Sequence, residues 1–182
     1  MNTANPAVPH PATPSELQHL TALDQAAFTA QLADIFEHSP WVAQRAWSQG
    51  PFTTLDALHS AMVNVVEEAT RDEQDALICA HPELAGKQAR EGTLTNASTQ
   101  EQRGAGLDAC SAEELARLNT LNAQYREKFG FPFIIAVKGL DRHQIMAAMQ
   151  ARLANAPEHE RRACLQEIAK IARFRLEAQF GA

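Results

Sequence analysis

The stretch Ser111–Val137, SAEELARLNTLNAQYREKFGFPFIIAV, decides the fold class of this chain. It opens with Ser111 and, three residues later, Glu114, which is the capping-box pattern of a helix N-terminus. Apolar residues then recur at helical spacing up to Phe129, where glycine and proline end the pattern. The run Phe133–Val137 is the only β-like segment of the chain, and a single short run cannot build a sheet. The stretch therefore predicts an all-α protein, with residues 133–137 as an extended connector, a short strand or a buried helical turn.

Helical spacing of apolar residues continues on both sides of this stretch. Apolar residues between Leu17 and Phe36 fall three or four positions apart, and two further helices are predicted at about Asp141–Leu153 and Glu158–Phe180. Glycine and proline number only 8 and 9, which argues against a turn-rich all-β fold. We predict a single all-α domain over residues 15–182, a compact bundle of about eight helices, behind a proline-rich tail of residues 1–14.

Composition excludes several functional classes. The 182 residues include Asp+Glu 22 against Lys+Arg 16, a net charge of −6, and no basic patch that would indicate nucleic-acid binding. No apolar run is long enough to span a membrane, and the N-terminus shows no secretory signal. The cysteines number 3 and form no C-x-x-C pair, so neither a disulfide framework nor a zinc site is indicated. We expect a cytoplasmic protein that binds no metal.

His81 is the first candidate for chemistry. It precedes Pro82, and a residue before proline avoids the helical region, so a helix should end at about Ala80. The carbonyl end of the helix dipole favours the imidazolium form and predicts a raised pKa for His81. A proton donor near neutral pH and a histidine that only caps the helix both fit this pattern.

The second candidate is the polar cluster Ser98-Thr99-Gln100-Glu101-Gln102, which has two interpretations. Ser98 and Glu101 form the S-x-x-E pattern of a capping box. Free backbone N–H groups at the same helix start can instead bind an anion, with Glu101 and Gln102 contacting a polar ligand. Both interpretations remain open.

Two further candidates lie in the C-terminal half. The segment Phe133-Ile134-Ile135-Ala136-Val137 has the composition of a core, yet an extended segment also offers backbone groups to a flat, amide-rich ligand. Arg175 lies on the last predicted helix, two residues after Arg173. Residues two apart do not share a helix face, so at most one of the two arginines should point inward.

Taken together, these clusters resemble the 2-oxo-4-hydroxy-4-carboxy-5-ureidoimidazoline (OHCU) decarboxylase family. The resemblance is carried by HPELAGK at residues 81–87, STQEQ at 98–102 and KFGFPFIIAV at 128–137, in this order. It extends from about residue 15 to the C-terminus. Each piece alone is weak, whereas the ordered combination is specific.

The resemblance implies an all-α carboxy-lyase, a homodimer without cofactor, that converts OHCU to (S)-allantoin in the last step of urate degradation. It assigns His81 as the proton donor and Glu101 as the acid paired with it. It assigns substrate binding to Pro82, Ser98, Thr99, Gln100, Glu101, Gln102, Phe133, Ile134, Ile135, Ala136 and Val137, and the anionic side of the substrate to Arg175.

Two other functions stay open on the sequence. One is a non-catalytic helical domain that binds a purine-derived ligand or a protein partner. The other is a related lyase or hydrolase that uses the same scaffold for a different ureido substrate, because pocket shape rather than fold sets that choice.

Overall fold

The computed structural model describes residues 14–181, with only the backbone of residues 14–16, so the predicted tail of residues 1–14 lies outside it except for Pro14. Within this range the chain forms ten α-helices and no strand. The helices are α1 (Pro14–Thr21), α2 (Gln25–Gln31), α3 (Trp41–Ala46), α4 (Leu55–Glu67), α5 (Arg71–Ala80), α6 (Lys87–Glu91), α7 (Asn96–Gly104), α8 (Ala112–Phe129), α9 (Arg142–Arg152) and α10 (Pro157–Phe180). None of them is both long and apolar enough to cross a membrane. The predicted all-α class is confirmed.

Ten helices form where about eight were expected, because short helices begin at residues that the apolar pattern does not reveal. Asp24 interrupts the first apolar stripe: its carboxylate accepts a hydrogen bond from the Ala27 N–H at 2.8 Å and begins α2. Gly86 precedes α6, a helix of 5 residues that begins without a side-chain cap.

Side-chain caps begin the helices that carry the site. The capping box of Ser111 and Glu114 starts α8 as predicted, with both reciprocal hydrogen bonds present. The capping box predicted for Ser98 and Glu101 is wrong, because Thr95 is the N-cap of α7 and accepts from the Ser98 N–H at 3.2 Å. Ser98 and Glu101 consequently lie inside α7, where their side chains are available for tertiary contacts.

The buried apolar side chains form two clusters that meet at the segment Phe133–Val137. The first cluster joins α1 to α5 with α10, and the second joins α8, α9 and the loops beside α6 and α7. Ile134 and Ala136 belong to the first cluster, while Phe133 and Val137 belong to the second. This alternation is that of an extended chain, so the segment is the connector that the sequence left as one of three options.

Replacing Ser111 with alanine is expected to lower the free energy of unfolding by about 1 kcal/mol, because the N-cap of α8 is lost. Urea unfolding followed by circular dichroism measures the change. Thr120→Ala is the matched control: Thr120 lies on the same helix, and its hydroxyl bonds only the Ala116 carbonyl. A midpoint that falls equally in both variants would contradict the capping role.

Candidate active site

One cavity lies where the two clusters meet, and its walls come from four separate parts of the chain. The empty space between its walls, counted out to the open mouth, is about 410 Å³. Its lining residues are His81, Pro82, Leu84, Ser98, Glu101, Gln102, Phe133, Ile134, Ile135, Val137, Ile171 and Arg175. Residues that lie up to 94 positions apart in the sequence thus meet in this cavity. They include most of the predicted site residues.

Three of the predicted site residues do not line this cavity. Glu101 and Gln102 come three and four residues after Ser98 on α7, so these three residues share one face of the helix. Thr99 and Gln100 lie on other faces. The Thr99 hydroxyl donates to the Thr95 carbonyl at 2.9 Å. Gln100 and Ala136 line a neighbouring, wider groove beside α10 instead.

His81 lies at the C-terminal end of α5, as the proline after it predicts, and is 7% exposed. Its Nδ1 lies 2.9 Å from the Leu77 carbonyl oxygen, which can only accept, so Nδ1 carries the proton of the neutral ring. Nε2 is then the nitrogen without a proton, and it has no hydrogen-bond partner among the described residues.

The pKa of His81 moves opposite to the sequence-based prediction. Burial lowers the pKa to about 4, even though the hydrogen bond to Leu77 and the charge of Glu37 raise it. The charge of Arg175 lowers it further. The prediction of a raised pKa is wrong because the loss of water around the ring outweighs the helix dipole and the hydrogen bond. His81 is therefore neutral at pH 7 in the free protein.

Of the two arginines Arg173 and Arg175, Arg175 is the one that faces inward, with 7% of its side chain exposed against 31% for Arg173. Its Nε and Nη2 donate to the two carboxylate oxygens of Glu101 at 2.8 and 3.0 Å. The remaining acceptors are the Asp34 carbonyl at 3.1 Å, the Ser98 hydroxyl at 3.3 Å and Glu37 at 2.8 Å. Four N–H groups of the guanidinium thus make hydrogen bonds, and Nη1 also lies in ion-pair contact with Glu37.

Glu37 is the site residue that the sequence reading missed. It is 2% exposed and accepts hydrogen bonds from the hydroxyls of Thr95 at 2.9 Å and Ser98 at 3.1 Å, besides its ion pair with Arg175. Burial raises the pKa of Glu37, but the Arg175 charge and these hydrogen bonds hold it below its usual value. A signal was present: Glu37 follows the buried pair Ile35–Phe36, where a glutamate needs a specific partner.

Gln102 and the extended segment supply neutral polar groups. The Gln102 Oε1 accepts from the Ala85 N–H at 2.9 Å, which fixes the amide orientation and leaves the Nε2 donors for other partners. Ala85 has a positive φ of 48°, so this hydrogen bond also holds a strained backbone position. Ile135 also lines the cavity. The arrangement combines a neutral base, an ion-pair network and amide groups in one pocket, and residues 14–181 contain no cluster of side chains suited to a metal ion.

Comparisons with known proteins identify the family of this chain. The OHCU decarboxylase family model matches residues 21–177. The chain is 42% identical to the 2-oxo-4-hydroxy-4-carboxy-5-ureidoimidazoline decarboxylase of Haloferax volcanii, over 91% of this chain and 96% of that protein. The fold is similar to a crystal structure of OHCU decarboxylase in the presence of (S)-allantoin, with a TM-score of 0.67, 24% identity, and coverage of 84% of this chain and 99% of that one.

A crystal structure of (S)-allantoin synthase is also similar, with a TM-score of 0.71 and 32% identity over 90% of this chain. The present chain spans 54% of that longer protein. The family model covers well over half of the sequence, and the Haloferax relative is matched along nearly its whole length. The chain belongs to the OHCU decarboxylase family.

Proposed function

We propose that this protein decarboxylates OHCU to (S)-allantoin, the last step of urate degradation, in the cavity that His81 and Arg175 line. The observation that carries the proposal is the convergence of His81, Glu101, Gln102, Arg175 and four of the five residues of the segment 133–137 on one pocket. A domain that only binds a protein partner has no use for a buried ion-pair network beside a histidine. Family membership supplies the substrate class.

The substrate is an anion, and its carboxylate needs a cationic partner. Each of the three guanidinium nitrogens of Arg175 already contacts an acceptor, so a new carboxylate that takes two of them must replace an existing partner. Glu101 is the partner to be displaced, because 30% of its side chain is exposed against 1% for Glu37. The substrate carboxylate then takes the fork of Arg175, and the released Glu101 becomes the carboxylate beside His81. Without this displacement, Glu37, Glu101 and the substrate carboxylate would all have to pair with the single charge of Arg175.

The electron sink for decarboxylation lies in the substrate. The bond between C4 and the carboxylate carbon breaks, CO₂ leaves, and the electron pair forms a C4=C5 double bond while the C5=N1 electrons move to N1, which takes a proton from solvent. The product forms when the C4 hydroxyl becomes a carbonyl and C5 gains a hydrogen on one face. No further oxidant or reductant is required, and the protein has to orient the ring and move protons.

A neutral His81 can perform both proton transfers at C4 and C5. Its Nε2 lone pair accepts the proton of the C4 hydroxyl, and the resulting imidazolium delivers a proton to C5. The hydrogen bond from Nδ1 to Leu77 holds the ring in place throughout. Glu101, once displaced from Arg175, stabilises the transient imidazolium by its charge. The Gln102 Nε2 and the backbone of Ile135 keep the ring plane fixed, so that one face of C5 meets the donor.

The pH dependence of kcat/KM separates a neutral from a protonated His81 in the free enzyme. Because the pKa of His81 is lowered to about 4, kcat/KM is expected to be flat from about pH 5.5 to 7.5 and to fall below about pH 4.5 as the base is protonated. If the free enzyme had to carry the imidazolium, kcat/KM would instead drop about tenfold per pH unit above pH 4. Initial rates across this range decide between the two.

The activity is tested by the handedness of the product. Urate oxidase and hydroxyisourate hydrolase generate OHCU from urate in the cuvette, and this protein is then added. Spontaneous decay gives racemic allantoin, whereas the proposed enzyme gives a growing optical rotation of (S)-allantoin at a rate proportional to its concentration. Racemic product at the uncatalysed rate would remove the proposal, and a binding domain without activity gives that result.

The assembly and location of the protein are part of the proposal. The resemblance implies a homodimer, and the three cysteines of residues 14–181 are free thiols, as in a reducing compartment such as the cytoplasm. Light scattering coupled to size exclusion measures the mass in solution. A mass near 19.9 kDa at all concentrations would indicate a monomer and contradict the homodimer.

A further inference from the structure

A second buried charge network lies behind the cavity, on the far side of the segment Phe133–Val137. Glu160 on α10 is 0% exposed and accepts from Arg152 at 2.7 Å, from Asn155 at 2.7 Å and from the Tyr125 hydroxyl. Burial raises the pKa of Tyr125, so the phenol remains a neutral donor. None of these four side chains lines the cavity.

This network holds one residue of the connector by its backbone carbonyl. Arg152 Nη1 donates to the Ile134 carbonyl at 2.7 Å, and Arg152 Nη2 donates to the sulfur of Cys164 at 3.6 Å. The guanidinium lies 4.5 Å over the Phe133 ring. Two residues on, the Ala136 N–H donates to Glu167 at 2.8 Å.

The consequence for Ile135 follows from the geometry of an extended chain. The N–H and C=O of one residue point to the same side, and successive residues alternate sides. Ile134 and Ala136 are bonded toward α9 and α10, so Ile135 directs its N–H and C=O the other way. Ile135 lines the cavity, and its backbone groups have no hydrogen-bond partner within residues 14–181.

We propose that Arg152, Glu160 and Glu167 are positioning residues that hold this connector so that Ile135 presents an N–H and C=O pair to the cavity. Such a pair recognises the edge of a cyclic ureide, where an N–H lies next to a carbonyl, through two hydrogen bonds. The inference rests on the proposed function for the identity of the ligand. The arrangement of the connector does not depend on it.

Arg152→Lys tests the proposal because it keeps the positive charge beside Glu160 but loses the planar fork that reaches Glu160, Ile134 and Cys164 together. KM for OHCU is expected to rise about tenfold with kcat within about twofold, since His81 is untouched. KM does not depend on the amount of folded enzyme, so a variant that only loses part of its folded protein keeps the wild-type KM. Amide hydrogen exchange of residues 133–137 should accelerate relative to the rest of the chain.

Arg161→Lys is the matched control on α10. Arg161 is also a buried arginine, with 8% of its side chain exposed against 15% for Arg152, and it bonds Gln74 and Asp75 away from the connector. Its KM and the exchange of residues 133–137 should stay at wild-type values. Equal changes in both variants, or no change in Arg152→Lys, would overturn the proposal.

Glu167 gives a second test that spares the buried Glu160, because Glu167 bonds only the Ala136 N–H and the exposed Lys170. Glu167→Ala should raise KM and the local exchange rate, whereas Glu167→Gln retains an oxygen acceptor for the Ala136 N–H and should restore both. Failure of glutamine to restore them counts against the proposal. Should wild-type protein form no (S)-allantoin, the proposed function fails, while the exchange rates still decide whether the connector is held by these residues.

Discussion

His81→Asn is expected to lower kcat for (S)-allantoin formation about a thousandfold while the protein stays folded. Asparagine can still donate a hydrogen bond to the Leu77 carbonyl, and it is uncharged like the neutral histidine it replaces. What it cannot do is accept the C4 hydroxyl proton and pass one to C5. The loss should therefore appear in kcat, with KM changed little, because the binding groups on α7, α10 and the connector remain.

The control for this substitution is His59→Asn. His59 on α4 also uses a ring nitrogen to contact a helix carbonyl, that of Ala169 at 2.8 Å, but it does not line the cavity. Its kcat should equal that of the wild type, and both variants should keep the helical circular dichroism spectrum. Wild-type turnover in His81→Asn would remove His81 from the chemistry, and a loss in both variants would point to general destabilisation.

Arg175→Met is expected to abolish measurable activity. It should also cause the largest loss of stability, a decrease of about 3–5 kcal/mol in the free energy of unfolding. The reason is Glu37, which is 2% exposed and would be left as a buried carboxylate without its cation. Glu101 is partly exposed and can turn to solvent, so its loss of a partner costs less. Denaturant unfolding measures the free energy.

A double variant separates the two roles of Arg175. In Arg175→Met with Glu37→Gln the buried negative charge is gone, so much of the lost stability should return. Activity should not return, because the substrate carboxylate still lacks the guanidinium. If the double variant recovers turnover, Arg175 serves only to neutralise Glu37. If its free energy of unfolding stays as low as that of Arg175→Met, the unpaired Glu37 is not the reason for the lost stability.

Stability should also depend on pH through His81. An unfolded histidine has a pKa near 6.5, while burial lowers the pKa in the fold to about 4, so the unfolded chain binds more protons between these values. The contribution of His81 is fully present above pH 6.5 and is lost as the pH falls toward 4. Acid therefore acts on the site and on the fold through the same residue.

The helical class could be predicted from sequence because periodicity is a local property. The apolar spacing of α8 and its Ser111 cap are both contained in one short stretch. The helix count and the start of α7 were harder, since Thr95 and Ser98 are equally good caps in isolation and the tertiary contact of Ser98 with Glu37 and Arg175 decides between them. Local propensity carries no information on such a contact.

The site residues also divide into those that a local sequence motif reveals and those that only tertiary contacts reveal. The resemblance indicated most of the cavity-lining residues, since each motif is continuous in sequence. It did not reveal Glu37, whose partners Thr95 and Arg175 lie 58 and 138 residues away along the chain. The pKa of His81 was predicted in the wrong direction for a related reason: the helix end is visible in the sequence, whereas the burial that dominates depends on the whole fold.

The place of the connector between the two apolar clusters has a thermodynamic consequence. Neither cluster can separate without pulling on residues 133–137, since Ile134 and Ala136 are anchored in one and Phe133 and Val137 in the other. The protein should therefore melt in a single calorimetric transition rather than in two steps. A ligand bound to the connector stabilises both clusters together. At a concentration a hundred times its Kd, the ligand should therefore raise the free energy of unfolding of the whole protein by about 2.7 kcal/mol.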